Sequence, residues 1–280
     1  MKQSTGESSK AYQAKGDINI TNTGMDYKNV KQLCLELIHE NFPKLQEEAM
    51  QRVNENVLAF AEQLKNEISD KKSLIDEKKL ADPDVQFALN EAVQGSAKKG
   101  NKSDVNLLAS LVASRIDKGN TDLLDITIEE AIRLTPKLNR NQINFLTVHH
   151  FLSGITIEKP GVTYNDLERN AIPVLKQFGN YCNLSAASLR YLAGVGVLDY
   201  NPILGHKIYE LFFKKYPTLA SDKEDFKEKV KSNAPSLYKL IEIYDENKFS
   251  SSSLSSFGQV IALTSLGRIF GHLDLKIWIY

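Results

Sequence analysis

The sequence predicts a mainly α-helical protein with a short N-terminal β-repeat, a helical array and a small C-terminal α+β module resembling a winged helix. Three observations carry that expectation. Apolar residues recur at steps of three and four through most of the chain between Asp26 and Glu246, the spacing that gathers them on one face of a helix. Signals for helix starts and stops stand between these stripes, among them Asp82-Pro83, Ser103-Asp104, Asn139 with Gln142, Gly95 and Gly119. The two ends break the period: residues 1–20 contain a repeat, and residues 273–280 alternate apolar with polar. The expected divisions are a β-repeat segment over 1–24, the helical array over 25–155 and the α+β module over 156–280.

The opening repeat is Gln3-Ser4-Thr5-Gly6-Glu7, which returns as Gln13-Ala14-Lys15-Gly16-Asp17 and then runs into Ile18-Asn19-Ile20. Isolated two-stranded pieces are marginal in water, so a strand this short either stays loose or pairs with others, most simply the same segment in further copies of the chain. Gln3, Gly6, Tyr12, Gln13, Gly16, Asp17, Ile18 and Ile20 are the expected assembly residues, with turns at the two glycines and the isoleucines on the buried side.

A helix is expected from Asp26 through Val30, Leu33, Cys34, Leu37 and Ile38, interrupted at Pro43. A second follows through Leu45, Ala49, Val53, Val57, Phe60, Leu64 and Ile68. Asp82-Pro83-Asp84 opens the next, closed at Gly95. Ser103-Asp104 opens another, stopped at Lys118-Gly119-Asn120, and a further helix covers Leu123 to Leu134. Asn139 and Gln142 form a capping-box pattern ahead of Ile143, Leu146 and Phe151. After the irregular stretch Ser153 to Asn165, helices are expected from Asn165-Asp166 with Pro173 inside, from Ser185 to the turn Gly194-Val195-Gly196, and over Ile203–Lys215, Asp222–Lys231 and Pro235–Glu246. Ser250 to Ser256 reads as a polar loop, Gln259 to Leu263 as a short strand, and Leu273, Leu275, Ile277 and Ile279 as the inward face of a terminal strand paired with it.

The composition narrows the function classes. The 280 residues are 42% hydrophobic and 25% charged, with 35 Lys plus Arg against 35 Asp plus Glu. That balance gives no global attraction to nucleic acid or anionic membrane. Cys34 and Cys182 form no CxxC pair, which argues against a disulfide scaffold and for a reducing cytoplasm. The N-terminus lacks an apolar signal core, and no run reaches the about 18 apolar residues of a membrane span.

Motifs with chemical meaning are incomplete. Glu36-x-x-His39 is half of a dimetal helical pattern, and no second half exists. His149 and His150 are adjacent, so on a helix they diverge by about 100° and cannot share one metal as an i, i+4 pair does. One is expected exposed and the other partly packed. Gly95 to Ser103 nearly spells a phosphate-binding loop, but Asn101 stands where the lysine belongs and the stretch follows a helix rather than a strand. Gly194-Val195-Gly196 lacks the third glycine of a dinucleotide fingerprint. No Ser, Cys or Thr stands in a nucleophile context. No catalytic residue, metal ligand or cofactor site is therefore expected, and the chain reads as a non-enzyme.

The winged-helix likeness rests on a helix carrying Arg190 and Tyr191, then Leu198, and later Leu263-Thr264-Ser265-Leu266-Gly267. It makes Arg190, Lys207, Lys214 and Lys215 the candidate phosphate contacts of a DNA- or RNA-binding regulator. Asp222, Glu224, Asp225 and Glu228 oppose that alternative.

The N-terminal residues also resemble the opening of a bacterial, phage-defence-associated helical family that begins approximately QSGGDxSxNYQAGxDINI. Gln3, Ser4, Gly6, Ser9, Tyr12, Gln13, Ala14, Asp17, Ile18, Asn19 and Ile20 match without a gap, while Thr5, Glu7, Ala11 and Lys15 depart. Asp82-Pro83-Asp84-Val85-Gln86-Phe87-Ala88-Leu89 and Leu134-Thr135-Pro136-Lys137-Leu138 are similar too, and the Leu-Thr-x-Leu-Gly run resembles the close of such domains. The resemblance implies a self-assembling, cytoplasmic protein of anti-phage defence, acting as sensor, scaffold or abortive-infection factor. A phage or host protein is the further partner it implies, and it supplies no catalytic residue.

Overall fold

The computed structural model describes residues 27–280 except 101, 102, 204, 206, 207, 248 and 280, with side chains from residue 46 onward apart from those of 77 and 181. The N-terminal repeat, with Gln3, Gly6, Tyr12, Gln13, Gly16, Asp17, Ile18 and Ile20, lies outside the described residues, as do Lys207 and the side chains of Glu36 and His39. The chain divides into two compact units, Met1–Ala49 and Met50–Tyr280. In the first, residues 27–49 belong to helix α1 (Tyr27–Asp70), which continues through Pro43 where an interruption was expected. Proline removes one ladder hydrogen bond, and here the helix carries that loss without ending.

Among the described residues the second unit is helical with one small sheet. From Met50 on, α1 contributes Phe60 to the core, with Leu64 packed against it. It is followed by α2 (Pro83–Lys99), α3 (Val105–Arg115), α4 (Asp122–Leu134) and α5 (Arg140–Gly154). Then come α6 (Tyr164–Phe178), α7 (Ala186–Gly194), β1 (Leu198–Tyr200), α8 (Ile208–Lys215), α9 (Lys223–Asn233), α10 (Pro235–Glu246), β2 (Ser252–Leu254) and α11 (Ser256–Phe270). No helix among the described residues is long and apolar enough to cross a membrane.

Local chemistry sets most helix starts. Side chains of Asp104, Thr121, Ser185 and Asp222 accept backbone N–H groups at the first turns of α3, α4, α7 and α9, satisfying donors that have no partner within the helix. The Asn139–Gln142 box forms reciprocally at 3.0 and 2.9 Å. At α6 the cap is Thr163 rather than Asn165, with Asp166 closing a second box. Gly95 does not end α2. It is buried inside that helix, where a Cβ would overlap the Pro136 ring, and the terminating glycine is Gly100 at φ 49°. Gly95 is thus small for helix packing, and Gly100 is the residue whose backbone needs glycine.

α5 and α11 form the centre. α11 packs on α3, α4, α5 and α6, and α5 on α6, α8, α10 and β2. Residues 142–152 of α5 and 260–266 of α11 are buried without interruption, so neither helix keeps a solvent face. The expected boundary at 155/156 falls inside this unit, because the elements on both sides of it share one core.

The C-terminal expectations need two corrections. Gln259 to Leu263 is helix within α11, not strand; a short unbroken apolar run looks alike in a buried strand and a buried helix. The alternating tail forms a 3-10 turn over Leu275–Ile277. Leu275 and Ile279 are buried while Ile277 is 65% exposed, so its working period is i, i+4 rather than two. The sheet lies elsewhere: β1 pairs antiparallel with β2, in register Leu198↔Leu254, Asp199↔Ser253 and Tyr200↔Ser252. β2 arises inside the stretch expected to be a polar loop.

The turn before β1 docks on the start of α11. Gly196 has φ 87°, Ser255 Oγ donates to the Gly196 carbonyl at 2.6 Å, and the Ser255 N–H reaches the Val197 carbonyl at 3.2 Å. A Cβ on Gly258 would overlap that Val197 oxygen. We therefore expect Gly258→Ala to lower stability by about 2 kcal/mol, measured by urea unfolding, since backbone must move to admit the methyl group.

Candidate functional site

The C-terminal end of α5 opens onto a cavity of about 480 Å³ whose lining includes His149, His150, Ser153, Glu210, Lys214, Tyr244, Ser252, Gln259 and Trp278. Its walls come from α5, α8, α10, β2, α11 and the C-terminal turn. The expectation that one histidine is exposed is corrected: each is 4% exposed, because α5 has neighbours on every side.

His149 joins α5 to β2. Its Nε2 lies 2.9 Å from the Ser252 carbonyl oxygen, and an oxygen that only accepts requires the proton on Nε2. Its Nδ1 faces Ser153 Oγ at 3.2 Å. The ring stacks on Phe249, with centroids 5.9 Å apart, and tilts against Tyr244 at 5.8 Å. Phe249 in turn stacks on Phe145 at 4.0 Å. The Ser153 hydroxyl donates back to the His149 carbonyl at 2.8 Å, a turn-to-turn bond that holds its single proton. The serine–histidine pair has the composition of a nucleophile and base, yet this geometry makes it a structural clamp.

His150 is different. Its Nε2 is buried and makes no hydrogen bond, and the ring meets Trp278 edge-on at 6.2 Å. Gly154 leaves the space that the ring fills, since a Cβ there would overlap Cε1. Burial, reinforced by His149 and Lys215, lowers the His150 pKa to about 3, so the ring is neutral at ordinary pH. Burial also raises the Tyr244 hydroxyl to about 12, leaving it a neutral donor and acceptor at the cavity wall.

Of the candidate phosphate contacts, Arg190 is exposed on α7 and Lys214 is exposed on α8, where it lines the cavity. Lys215 turns inward: Nζ donates to the carbonyls of Leu152, Ser153 and Ile155 at 3.2, 3.0 and 2.7 Å. It satisfies carbonyls left open at the end of α5, and burial lowers its pKa to about 8.

Sequence reasoning singled out the two histidines and Lys214 but missed Tyr244, Glu210, Ser252 and Trp278. These come from separate elements with no shared spacing, and the available clue was the adjacent histidine pair on α5. Among the described residues no three His, Cys, Asp or Glu side chains gather as a metal-binding group.

The architecture defines a mainly helical protein with a small two-stranded sheet and a mixed aromatic and polar cavity. A family model described as ":-like" matches residues 24–224 and 218–279. The chain therefore belongs to that family, whose description states no activity. Residues 1–23, which hold the repeat, lie outside the match. No curated protein and no solved structure matches the chain.

Two outcomes are expected. An imidazole with pKa 6.5 in the unfolded chain and about 3 when folded binds its proton more readily unfolded. Its contribution to stability is intact above pH 6.5 and is lost as pH falls towards 3, at about 1.4 kcal/mol per pH unit. Urea unfolding across that window should show a shallower pH slope for His150→Leu than for the parent. Separately, Lys215→Met keeps the aliphatic stem but strands three carbonyls, and should cost about 2 kcal/mol in the same assay.

Proposed function

We propose that this chain is a non-enzymatic, self-assembling bacterial protein of anti-phage defence that works in the cytoplasm, with the helical unit as its sensor and the N-terminal repeat as its assembly element. The observation that carries the sensor reading is the histidine-lined cavity. Its volume of about 480 Å³ falls within the range of small-molecule sites. Its best nucleophile–base pair, Ser153 and His149, is tied up in bonds to backbone carbonyls, which favours binding over turnover. Tyr244, Trp278 and the unpartnered His150 Nε2 suit a ligand with a flat apolar body and a few polar edges.

The assembly reading rests on the ten-residue repeat and on a strand, Ile18-Asn19-Ile20, too short to hold itself. Defence rests on the resemblance of residues 3–20 to the phage-defence-associated family. A phage or host protein engaging the assembled form is the partner this reading implies.

Size-exclusion chromatography with light scattering should give a multiple of the monomer mass for the full chain and the monomer mass for a version beginning at Asp26. Equal monomeric masses would remove the assembly claim. Infection of cells carrying each version should show protection only with the assembling form.

A further inference from the structure

A second cavity, of about 300 Å³, lies where the N-terminal ends of α3 and α5 meet α6 and α11, and it shares no lining residue with the histidine-lined one. Ser103, Asp104, Asn106, Arg140, Asn144, Gln177 and Arg268 supply its polar lining. Arg140 and Arg268 only donate, and the hydroxyl and amides can donate as well as accept. Asn144 is 3% exposed and Ser103 8% exposed, yet Asn144 Nδ2 and Ser103 Oγ are both buried without a hydrogen-bond partner. Buried polar groups are almost always paired, so two of the eight unpaired ones among the described residues standing beside one cavity mark it for a ligand that either side chain reaches by turning towards it.

The charge points the same way. Asp104 is the one acid in this lining, and both its oxygens are engaged: Oδ1 accepts the Leu107 N–H at 3.0 Å, and Oδ2 accepts from Arg268 Nη1 at 2.6 Å. Arg140 is exposed at the first position of α5 and forms no ion pair among the described residues. The N-terminal ends of α3 and α5 are offset by the C-terminal ends of α6 and α11, which supply Gln177, Phe178 and Arg268, so the positive character of the cavity rests on the two arginines.

We propose that this cavity binds a phosphate group, either free or on a small monoester. The free fork of Arg140, the remaining N–H groups of Arg268, the Asn144 amide and the Ser103 hydroxyl together offer more donors than the two oxygens of a carboxylate can satisfy. A phosphate monoester has three terminal oxygens and free phosphate four, with the charge to match. The volume exceeds that of phosphate alone, and Phe178 supplies an apolar wall for the carbon portion of an ester. The site is not the near-match to a phosphate-binding loop at Gly95 to Ser103. From that stretch it takes Ser103, and its other donors come from α5 and α11. It stands independently of assembly and of the histidine-lined cavity.

Titration calorimetry on the full-length protein, at matched ionic strength, would use inorganic phosphate, glycerol 3-phosphate and, as the carboxylate control, acetate. Saturable binding of a phosphate compound without acetate binding is expected, and Arg140→Gln should weaken it at least about tenfold, the value of one charge-assisted hydrogen bond. Arg140 is exposed, so its replacement leaves the fold intact; Asn144→Leu, close to isosteric, should weaken binding as well. Tighter binding of glycerol 3-phosphate would assign the site to a monoester, and equal binding to free phosphate. Absence of binding by both phosphate compounds, acetate binding as tight as phosphate, or parental affinity in both variants would overturn the proposal.

Discussion

Burying two helices on every side is the constraint from which the rest of the second unit follows. α5 and α11 expose almost no side chain along residues 142–152 and 260–266, so each needs a complete shell of neighbours. The shell is recruited from α3, α4, α6, α8, α10 and β2. Each large core side chain contributes about 2 kcal/mol by leaving water, which explains why elements distant in sequence close around this pair. It also explains the small sheet: β1 and β2 are three residues each, too short to hold alone, and they persist because His149 and the α11 start fasten them to the core.

Full burial makes the polar groups of those helices expensive to leave open. The structure answers with long side chains reaching in from other elements. Lys215 caps the end of α5. Arg115, nearly buried, bridges Asp84 of α2 and Asp125 of α4, with Nη1 to Asp125 at 2.9 Å, and Asn120 supports Asp125 at 2.9 Å. These contacts join helices that hydrophobic burial alone would leave free to slide.

Some polar groups remain unpaired, among them the hydroxyls of Thr264 and Ser265 on α11 and two side-chain nitrogens on α5. His150 Nε2 belongs to the cavity at one end of α5, and Asn144 Nδ2 to the cavity nearer its other end. A single buried helix thus carries unpaired polar atoms at two places, each beside a gap in the surrounding shell. The proposed sensor cavity is aromatic and near-neutral, while the proposed phosphate site is rich in donors. Two ligands of different chemistry could therefore act on the same central element.

What the sequence determined by itself was local. Asn139 with Gln142, Asp104, Ser185, Asp222 and Pro235 mark helix starts because a cap and its first turn lie within four residues of each other, and each was legible without a fold. The amphipathic stripes of the outer helices were legible for the same reason. Tertiary structure alone decided the rest. α11 is buried all round over residues 260–266, and the apolar run Val260 to Leu263 within it carries no period and reads equally as strand. The tail from Leu273 to Ile279 alternates, yet Leu275 and Ile279 are its buried residues, Leu273 and Trp278 pack at the core's edge, and Ile277 faces outward. Neither the β1–β2 pairing nor the gathering of His149, Tyr244, Ser252 and Trp278 could be read in advance, because contacts between residues so far apart in the chain depend on how the shell packs around α5 and α11, and no local spacing encodes that packing.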